Sequence, residues 1–223
     1  MERVKNEYRQ LIVDSGMEML NKGITVGTWG NLSARDPETG LIYVSPSGME
    51  YPKIRSEHVV VMDDRLRIVD GEAEPTIEKN MHAAVYRARE DVHAVVHTHP
   101  TYSSVFGLTS TPLPGVSEDF VQIIGAEVGL AEPYQLPGTE ELGQAAVNGL
   151  GTNNAVILPM HGALSVGKNM KTALKVSLVL EKNAQIYLFA KLFGGEIRRF
   201  SQDEIEAMQD FVKTRYGKKN EKY

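Results

Sequence analysis

The apolar run Asp91-Val-His-Ala-Val-Val-His-Thr-His-Pro100 ends in two histidines spaced i, i+2. Side chains two apart on a β-strand point the same way, so His97 and His99 can offer two imidazoles to one ion, and Pro100 discourages the strand from continuing. A bare His-x-His also occurs as surface histidines or as a hydrogen-bonded pair, so the pattern needs support elsewhere. Asn154-Ala-Val-Ile-Leu-Pro-Met160 supplies it, reading as another buried strand that delivers His161-Gly162 at its far end. Three histidines at strand ends make a zinc site of the catalytic type, because three protein ligands leave one position for substrate or water. A structural zinc fits less well, since such sites fill all four positions with protein ligands.

Composition narrows both the donors and the partners. The chain has no cysteine, so any transition metal is held by imidazole, carboxylate or water. Its 223 residues, 42% of them hydrophobic, suffice for one well-packed domain, and we expect a single domain over 1–223 with a frayed polar tail at 218–223. A formal net charge of −5, with no basic stripe carrying interleaved aromatics, argues against a nucleic-acid partner, whereas a small anionic substrate needs only a local positive site. No apolar run approaches the ~18 residues of a membrane span, and Met1-Glu-Arg-Val-Lys5 lacks the apolar core of a signal peptide. The expectation is a cytoplasmic protein with no membrane partner.

The elements that must position the histidines follow from periodicity. Val4, Tyr8, Leu11, Ile12, Met19 and Leu20 recur at helical spacing over residues 2–22, with Lys22-Gly23 as a stop. Gly27-Thr-Trp-Gly-Asn31 is a glycine-punctuated loop, either an oxyanion cradle or a plain tight turn, and it leads into a short strand, 32–35. Asp36-Pro-Glu-Thr-Gly40 turns the chain into a strand over 41–44, and Ser45-Pro-Ser-Gly48 is a second small-residue loop. Residues 58–62 and 65–69 read as a hairpin around Asp63-Asp64. A helix over about 77–89 buries Met81, Val85 and Ala88, with Thr76 as its cap. Glu78 then lies in the first turn, where the helix dipole favours a carboxylate, and His82 is expected to be packed or hydrogen-bonded rather than metal-bound.

After the histidine strand the pattern gives a helix from Thr101 and a connector, 111–115, stiffened by Pro112 and Pro114. A helical or irregular stretch over 118–124 follows, then a helix over 139–150. Strands over 154–160 and 163–166 precede a long helix over 170–191, and the capping box Ser201-Gln-Asp-Glu204 opens a last helix to about Arg215. Helices mingled with hairpin-connected strands indicate an α/β domain with a largely antiparallel or mixed sheet.

Gly27-Thr-Trp-Gly-Asn31, Ser45-Pro-Ser-Gly48, Glu78 with His82 four residues on, His97-Thr-His99 and His161-Gly162 together resemble the class II aldolase/adducin-head superfamily. Order and approximate spacing match from the first helix to Lys213-Thr-Arg-Tyr-Gly217. The resemblance implies an α/β/α three-layer fold with a largely antiparallel central sheet. It further implies Zn2+, with Mn2+ or Co2+ as alternatives, held by His97, His99 and His161, and a homotetramer with active sites between neighbouring subunits. The implied reaction is retro-aldol cleavage of a short ketose 1-phosphate, such as fuculose 1-phosphate, to dihydroxyacetone phosphate and an aldehyde. Breaking that carbon–carbon bond builds negative charge that has to be neutralised where it develops, which a Lewis-acidic cation can do. By the same resemblance Glu78 is the acid/base and an additional metal ligand, and Tyr216 is a proton donor reaching a neighbour's site. Gly30, Asn31, Ser47, Gly48 and Thr76 fall to the substrate phosphate.

Two departures bear on the substrate. Where aldolases show Ser-Ser before the glutamate, this chain has Thr76-Ile77. Losing one donor to an anionic oxygen costs about 1.5–3 kcal/mol of binding, so either fewer groups hold a phosphate or the substrate has none. Ser117-Glu-Asp-Phe120 stands where the fuculose-phosphate enzymes place a tyrosine; Glu118 or Asp119 is there either a different acid/base or an ordinary helix-start acid. The same scaffold supports a sugar-phosphate 4-epimerase, a dehydratase or a decarboxylase, although epimerase-like sequences carry aspartate where Glu78 stands. A non-catalytic adducin-like module predicts eroded ligands, whereas all three histidines and the glutamate are present.

Overall fold

The computed structural model describes residues 4–216, so the expected frayed tail at 218–223 lies outside the described residues. In chain order the elements are α1 (Asn6–Asn21), β1 (Asn31–Arg35), β2 (Ile42–Val44), β3 (Val60–Met62), β4 (Ile68–Asp70), α2 (Lys79–Ala88), β5 (Ala94–Thr98) and α3 (Thr101–Leu108). They continue with β6 (Leu113–Pro114), α4 (Glu118–Ile123), β7 (Glu127–Val128), α5 (Glu140–Leu150), β8 (Ala155–Leu158), β9 (Gly162–Gly167), α6 (Met170–Phe193) and α7 (Gln202–Thr214). Seven strands form one antiparallel sheet in the order β4-β3-β2-β1-β5-β9-β8, and β6 pairs with β7 in a separate two-stranded ribbon.

Helices cover both faces, and the period-two alternation of the central strands decides which residue meets which layer. On β5, Ala94 and Val96 join Leu32 and Ala34 of β1 in a core closed by Ile12 and Met19 of α1 and by Ala173 and Leu174 of α6. Val95 points the other way, into a core with Met81 and Val85 of α2 and Leu142 and Ala146 of α5. β5 is therefore apolar on both sides through Val95, whereas β1 is apolar only on the α1/α6 side, its other face carrying Asn31 and Ser33. Burying each such valine or leucine stabilises the fold by roughly 1.5–3 kcal/mol. A third cluster, centred on Phe106, Phe120, Ile157 and Leu180, ties α3, α4 and α6 to β8. This is the expected α/β/α arrangement with an antiparallel centre.

Several boundaries move, each for a local reason. The first helix runs over Asn6–Asn21 rather than 2–22. The strand expected from His58 starts at Val60, because Ser56–His58 is a 3-10 turn in which His58 Nδ1 accepts the Arg55 N–H at 3.0 Å. The strand expected at 65–69 is Ile68–Asp70. Asp63 Oδ1 accepts the N–H groups of Arg65 and Arg67, each at 3.0 Å, and Leu66 takes φ 62°, so those residues belong to the turn. Thr76 does not cap α2: the helix begins at Lys79 with Glu78 in the cap position, and Thr76 Oγ1 instead accepts the Glu78 N–H at 3.3 Å. The connector at 111–115 contains β6, a ribbon that sequence periodicity does not reveal. The capping box at Ser201 and Glu204 forms as expected, with α7 ending at Thr214.

Candidate active site

His97 is on β5, His99 is one residue past its end, and both lie on the α2/α5 side of the sheet, in phase with Val95. His161 comes from the tight connection between β8 and β9, where Leu158 pairs with Gly162 and Met160 adopts φ 55°. A Cβ on Gly162 would fall 2.2 Å from the Thr98 carbonyl oxygen, so only glycine lets β9 lie this close to β5 and bring His161 beside His97. One nitrogen from each of the three rings then lies within 4.8 Å of the others.

The protonation states favour a cation. His97 Nδ1 is 3.0 Å from the Ala163 carbonyl oxygen, and only an N–H can approach an acceptor that way, so the lone pair of His97 is on Nε2. That Nε2 is 3.0 Å from His99 Nε2. Burial pushes His97 down to about 3 and His161 down to about 4, the neighbouring imidazoles adding to the shift, and burial also lowers His99 while the Glu78 charge opposes it. All three rings are neutral at neutral pH, the form in which imidazole ligates a metal.

Glu78 is brought to the same point by the turn preceding α2. Its Oε2 lies 3.2 Å from His97 Nε2 and its Oε1 lies 3.4 Å from His161 Nε2. Asn31 Nδ2 donates to Oε2 at 2.7 Å, whereas the buried Oε1 has no hydrogen-bond partner among the described residues. A buried carboxylate oxygen without a donor, next to converging imidazole lone pairs, fits a divalent cation or a substrate proton. The donor set can bind a metal.

His99, His161 and Glu78 line a cleft of about 300 Å³ together with Gly30, Asn31, Ser47, Gly48, Thr76 and Ile77, while His97 is fully buried. The two loops singled out by sequence and the segment 76–78 thus meet in space. Gly30 has φ +72°, and a Cβ there would fall 2.6 Å from the His97 carbonyl oxygen, so the first loop rests directly on the histidine strand. The Tyr51 hydroxyl donates to the Gly30 carbonyl at 2.9 Å, and Thr25 Oγ1 donates to the Trp29 carbonyl at 2.5 Å, which fixes that loop. No lysine or arginine lines the cleft among the described residues. An anion bound there meets hydroxyl, amide and backbone donors only.

The family described as Class II Aldolase and Adducin N-terminal domain matches residues 10–188. The chain belongs to the class II aldolase family. It is 38% identical over 198 residues to a 5-deoxy-D-ribulose 1-phosphate aldolase of Bacillus thuringiensis serovar kurstaki, covering 89% of this chain and 92% of that one. It is 30% identical over 213 residues to an L-fuculose phosphate aldolase of Escherichia coli K12, covering 96% of this chain and 97% of the relative. A solved L-fuculose 1-phosphate aldolase superposes with a TM-score of 0.91 at 33% identity, covering 96% of this chain and 100% of that one. The relatives are lyases, and this class II aldolase is an enzyme of that class.

Within the class II aldolase, three residues raised by sequence lie away from the cleft. Tyr216 is exposed and sits near Phe211 and Lys175, so the chain does not bring it to its own histidines. Asp119 is paired with Lys182 at 2.5 Å, and Glu118 is exposed in the first turn of α4. Both acids are helix-start residues, not part of this cleft. Four wall residues carry no assignment from sequence: Thr28, Pro46, Pro137 and Trp29, whose ring centroid is 5.7 Å from that of His99. Trp29 was visible as the single tryptophan of the chain inside a glycine loop, but nothing local signals Pro137.

Proposed function

We propose that the chain is a zinc-dependent class II aldolase that cleaves a short ketose 1-phosphate into dihydroxyacetone phosphate and a small aldehyde. The reading is carried by the Glu78 carboxylate, buried 3.2 Å from His97 and 3.4 Å from His161 at the floor of the cleft. Three imidazoles with one remaining position suit zinc over the harder divalent ions. Held by His97, His99 and His161, such an ion supplies positive charge to the oxygen on which negative charge builds as the C3–C4 bond breaks.

Cleavage leaves an electron pair at C3, and Glu78 delivers the proton that ends there; in the condensation direction it removes the same proton. In the condensation direction Tyr216 of a neighbouring subunit is proposed to donate a proton to the aldehyde oxygen, and in cleavage its phenolate takes the same proton back from the C4 hydroxyl. Gly30, Asn31, Ser47, Gly48 and Thr76 hold the phosphate through neutral donors, with Ile77 in place of one hydroxyl. Trp29 and Ile77 are exposed apolar side chains in the cleft wall, which supports a homotetramer whose neighbours close the site. A cytoplasmic location accords with a sugar-phosphate substrate.

The test is a coupled assay on zinc-loaded protein given 5-deoxyribulose 1-phosphate, fuculose 1-phosphate and ribulose 1-phosphate separately, with triose phosphate followed through NADH oxidation. Chelator-sensitive release of triose phosphate is expected from at least one. Silence on all three with zinc bound would overturn the reading, and product analysis for a stereoisomer, water loss or carbon dioxide would then identify the reaction.

A further inference from the structure

Beneath the cleft the face of α2 meets the face of β1 through polar groups alone. Glu78, His82 and Tyr86 recur at i, i+4, i+8, on one side of the helix and its cap. Asn31 and Ser33 recur at i, i+2 on the matching face of β1. The two rows interdigitate in the order Tyr86, Ser33, His82, Asn31, Glu78. Tyr86 OH is 2.8 Å from Ser33 Oγ, Ser33 Oγ is 2.7 Å from His82 Nδ1, His82 Nε2 is 2.6 Å from Asn31 Oδ1, and Asn31 Nδ2 is 2.7 Å from Glu78 Oε2. All five residues are buried.

The direction of donation along this row is fixed from its cleft end. An ionised carboxylate only accepts, so the amide N–H2 of Asn31 faces Glu78 and its oxygen faces His82. His82 must then donate from Nε2, which in a neutral ring leaves the lone pair on Nδ1 to accept from the Ser33 hydroxyl. Ser33 Oγ accepts in turn from Tyr86. Reversing any one member would set two donors or two acceptors against each other in a buried row, at the expense of a lost hydrogen bond.

We propose that His82 is a positioning residue: held as the Nε2–H tautomer by Ser33 and Tyr86, it locks the Asn31 amide onto Oε2 of Glu78 and leaves Oε1 as the oxygen that exchanges the substrate proton. The assignment rests on the proposed proton-transfer role of Glu78, and it adds which oxygen works and what holds the other. It also accounts for a polar row where an apolar interface would pack as well. Oε1 is the carboxylate oxygen that lacks a donor, and it faces His161, whereas Oε2 is occupied.

Two measurements test it. Long-range 1H–15N correlation spectra of histidine-labelled protein as purified, with the His82 signals assigned by their loss in His82→Gln, are expected to show a neutral ring protonated at Nε2. A ring protonated at Nδ1, or at both nitrogens, would overturn the proposal. In steady-state kinetics on the best ketose 1-phosphate, His82→Leu is expected to lower kcat by about 30-fold or more, with KM within about threefold and zinc content unchanged. His82→Gln keeps a donor near the Nε2 position and is expected to recover most of that loss. Equal kcat for His82→Leu and wild type, or a defect confined to KM or zinc content, would also overturn it.

Should His82→Leu not fold, Ser33→Ala serves instead: it removes the donor to Nδ1 and is expected to give mixed His82 tautomers and a kcat lower by about fivefold. An unchanged tautomer and kcat in that variant would count against the row. Wild-type protein inactive on every sugar with His82 protonated at Nε2 sinks the aldolase reading and leaves the row standing. Active wild type with the other tautomer does the reverse.

Discussion

Asn31 and His97 lie directly opposite each other in the β1–β5 ladder. The residue that holds Glu78 and the residue whose imidazole faces that carboxylate are thus locked by strand register, not by loop conformation. A slip of one residue in either strand would turn its side chain to the opposite face of the sheet and part the two.

Because His97 is the deepest of the three imidazoles, His97→Ala is expected to lose bound metal and activity together, measured by elemental analysis and the coupled assay on the same preparation. Glu78→Gln is expected to keep metal largely bound while slowing turnover by at least ~100-fold. Turnover by a metal-free His97→Ala protein is incompatible with the proposed chemistry.

Gly30→Ala tests the contact between the first loop and the histidine strand. The added methyl would sit 2.6 Å from the His97 carbonyl oxygen at φ +72°, so strain and clash add. A destabilisation of about 2 kcal/mol or more is expected, seen as a melting midpoint lower by roughly 4 °C or more. An unchanged midpoint with full activity would mean that the loop does not rest on that carbonyl.

Acidification should destabilise the metal-free protein. Burial holds both His82 and His97 at about 3 against an ordinary 6.5, so between those values the unfolded chain binds more protons than the folded one. Stability then rises with pH through the window and is lost as pH falls from about 6.5, with a slope of up to ~1.4 kcal/mol per pH unit for each ring. Urea unfolding at about pH 7.5, 6 and 5 measures it. Equal unfolding free energies across that series would show that neither ring is held neutral.

If Tyr216 serves a neighbour's cleft, inactive parents should complement. Glu78→Gln and Tyr216→Phe variants, each weak alone, are expected to regain activity when unfolded together and refolded as mixed oligomers, because some sites then combine an intact Glu78 with an intact Tyr216. Mixtures no more active than their parents would confine Tyr216 to its own surface.

The parts of the site carried by periodic elements were legible in the sequence. His97 and His99 announce themselves through strand alternation, and His161 through the run before it; the fold's antiparallel character follows from hairpin-connected strands. The sequence has His82 either packed or hydrogen-bonded, and the structure makes it hydrogen-bonded, to Asn31 and Ser33, which lie some fifty residues away in sequence and leave no local trace. Thr76 misled as a helix cap because its hydroxyl serves the N–H two residues on instead. Pro137 and the β6–β7 ribbon were illegible for a different reason: their positions are set by packing between distant segments, and short loops carry no period to read. Glu118 and Asp119 read in the sequence either as a different acid/base or as helix-start acids, and the structure puts both in the first turn of α4, with Asp119 paired to Lys182 and neither in the cleft wall.

A cleft walled without lysine or arginine, in a chain of formal charge −5, has an unusual consequence for how fast an anion arrives. Most enzymes for phosphorylated substrates draw them in with a field that salt weakens. A net charge of −5 opposes the approach of the proposed phosphate dianion, and attraction begins only within the last few ångströms, where amides, hydroxyls and the proposed cation take over. Added salt should screen the repulsion and speed capture, so kcat/KM is set to climb with ionic strength where it ordinarily falls.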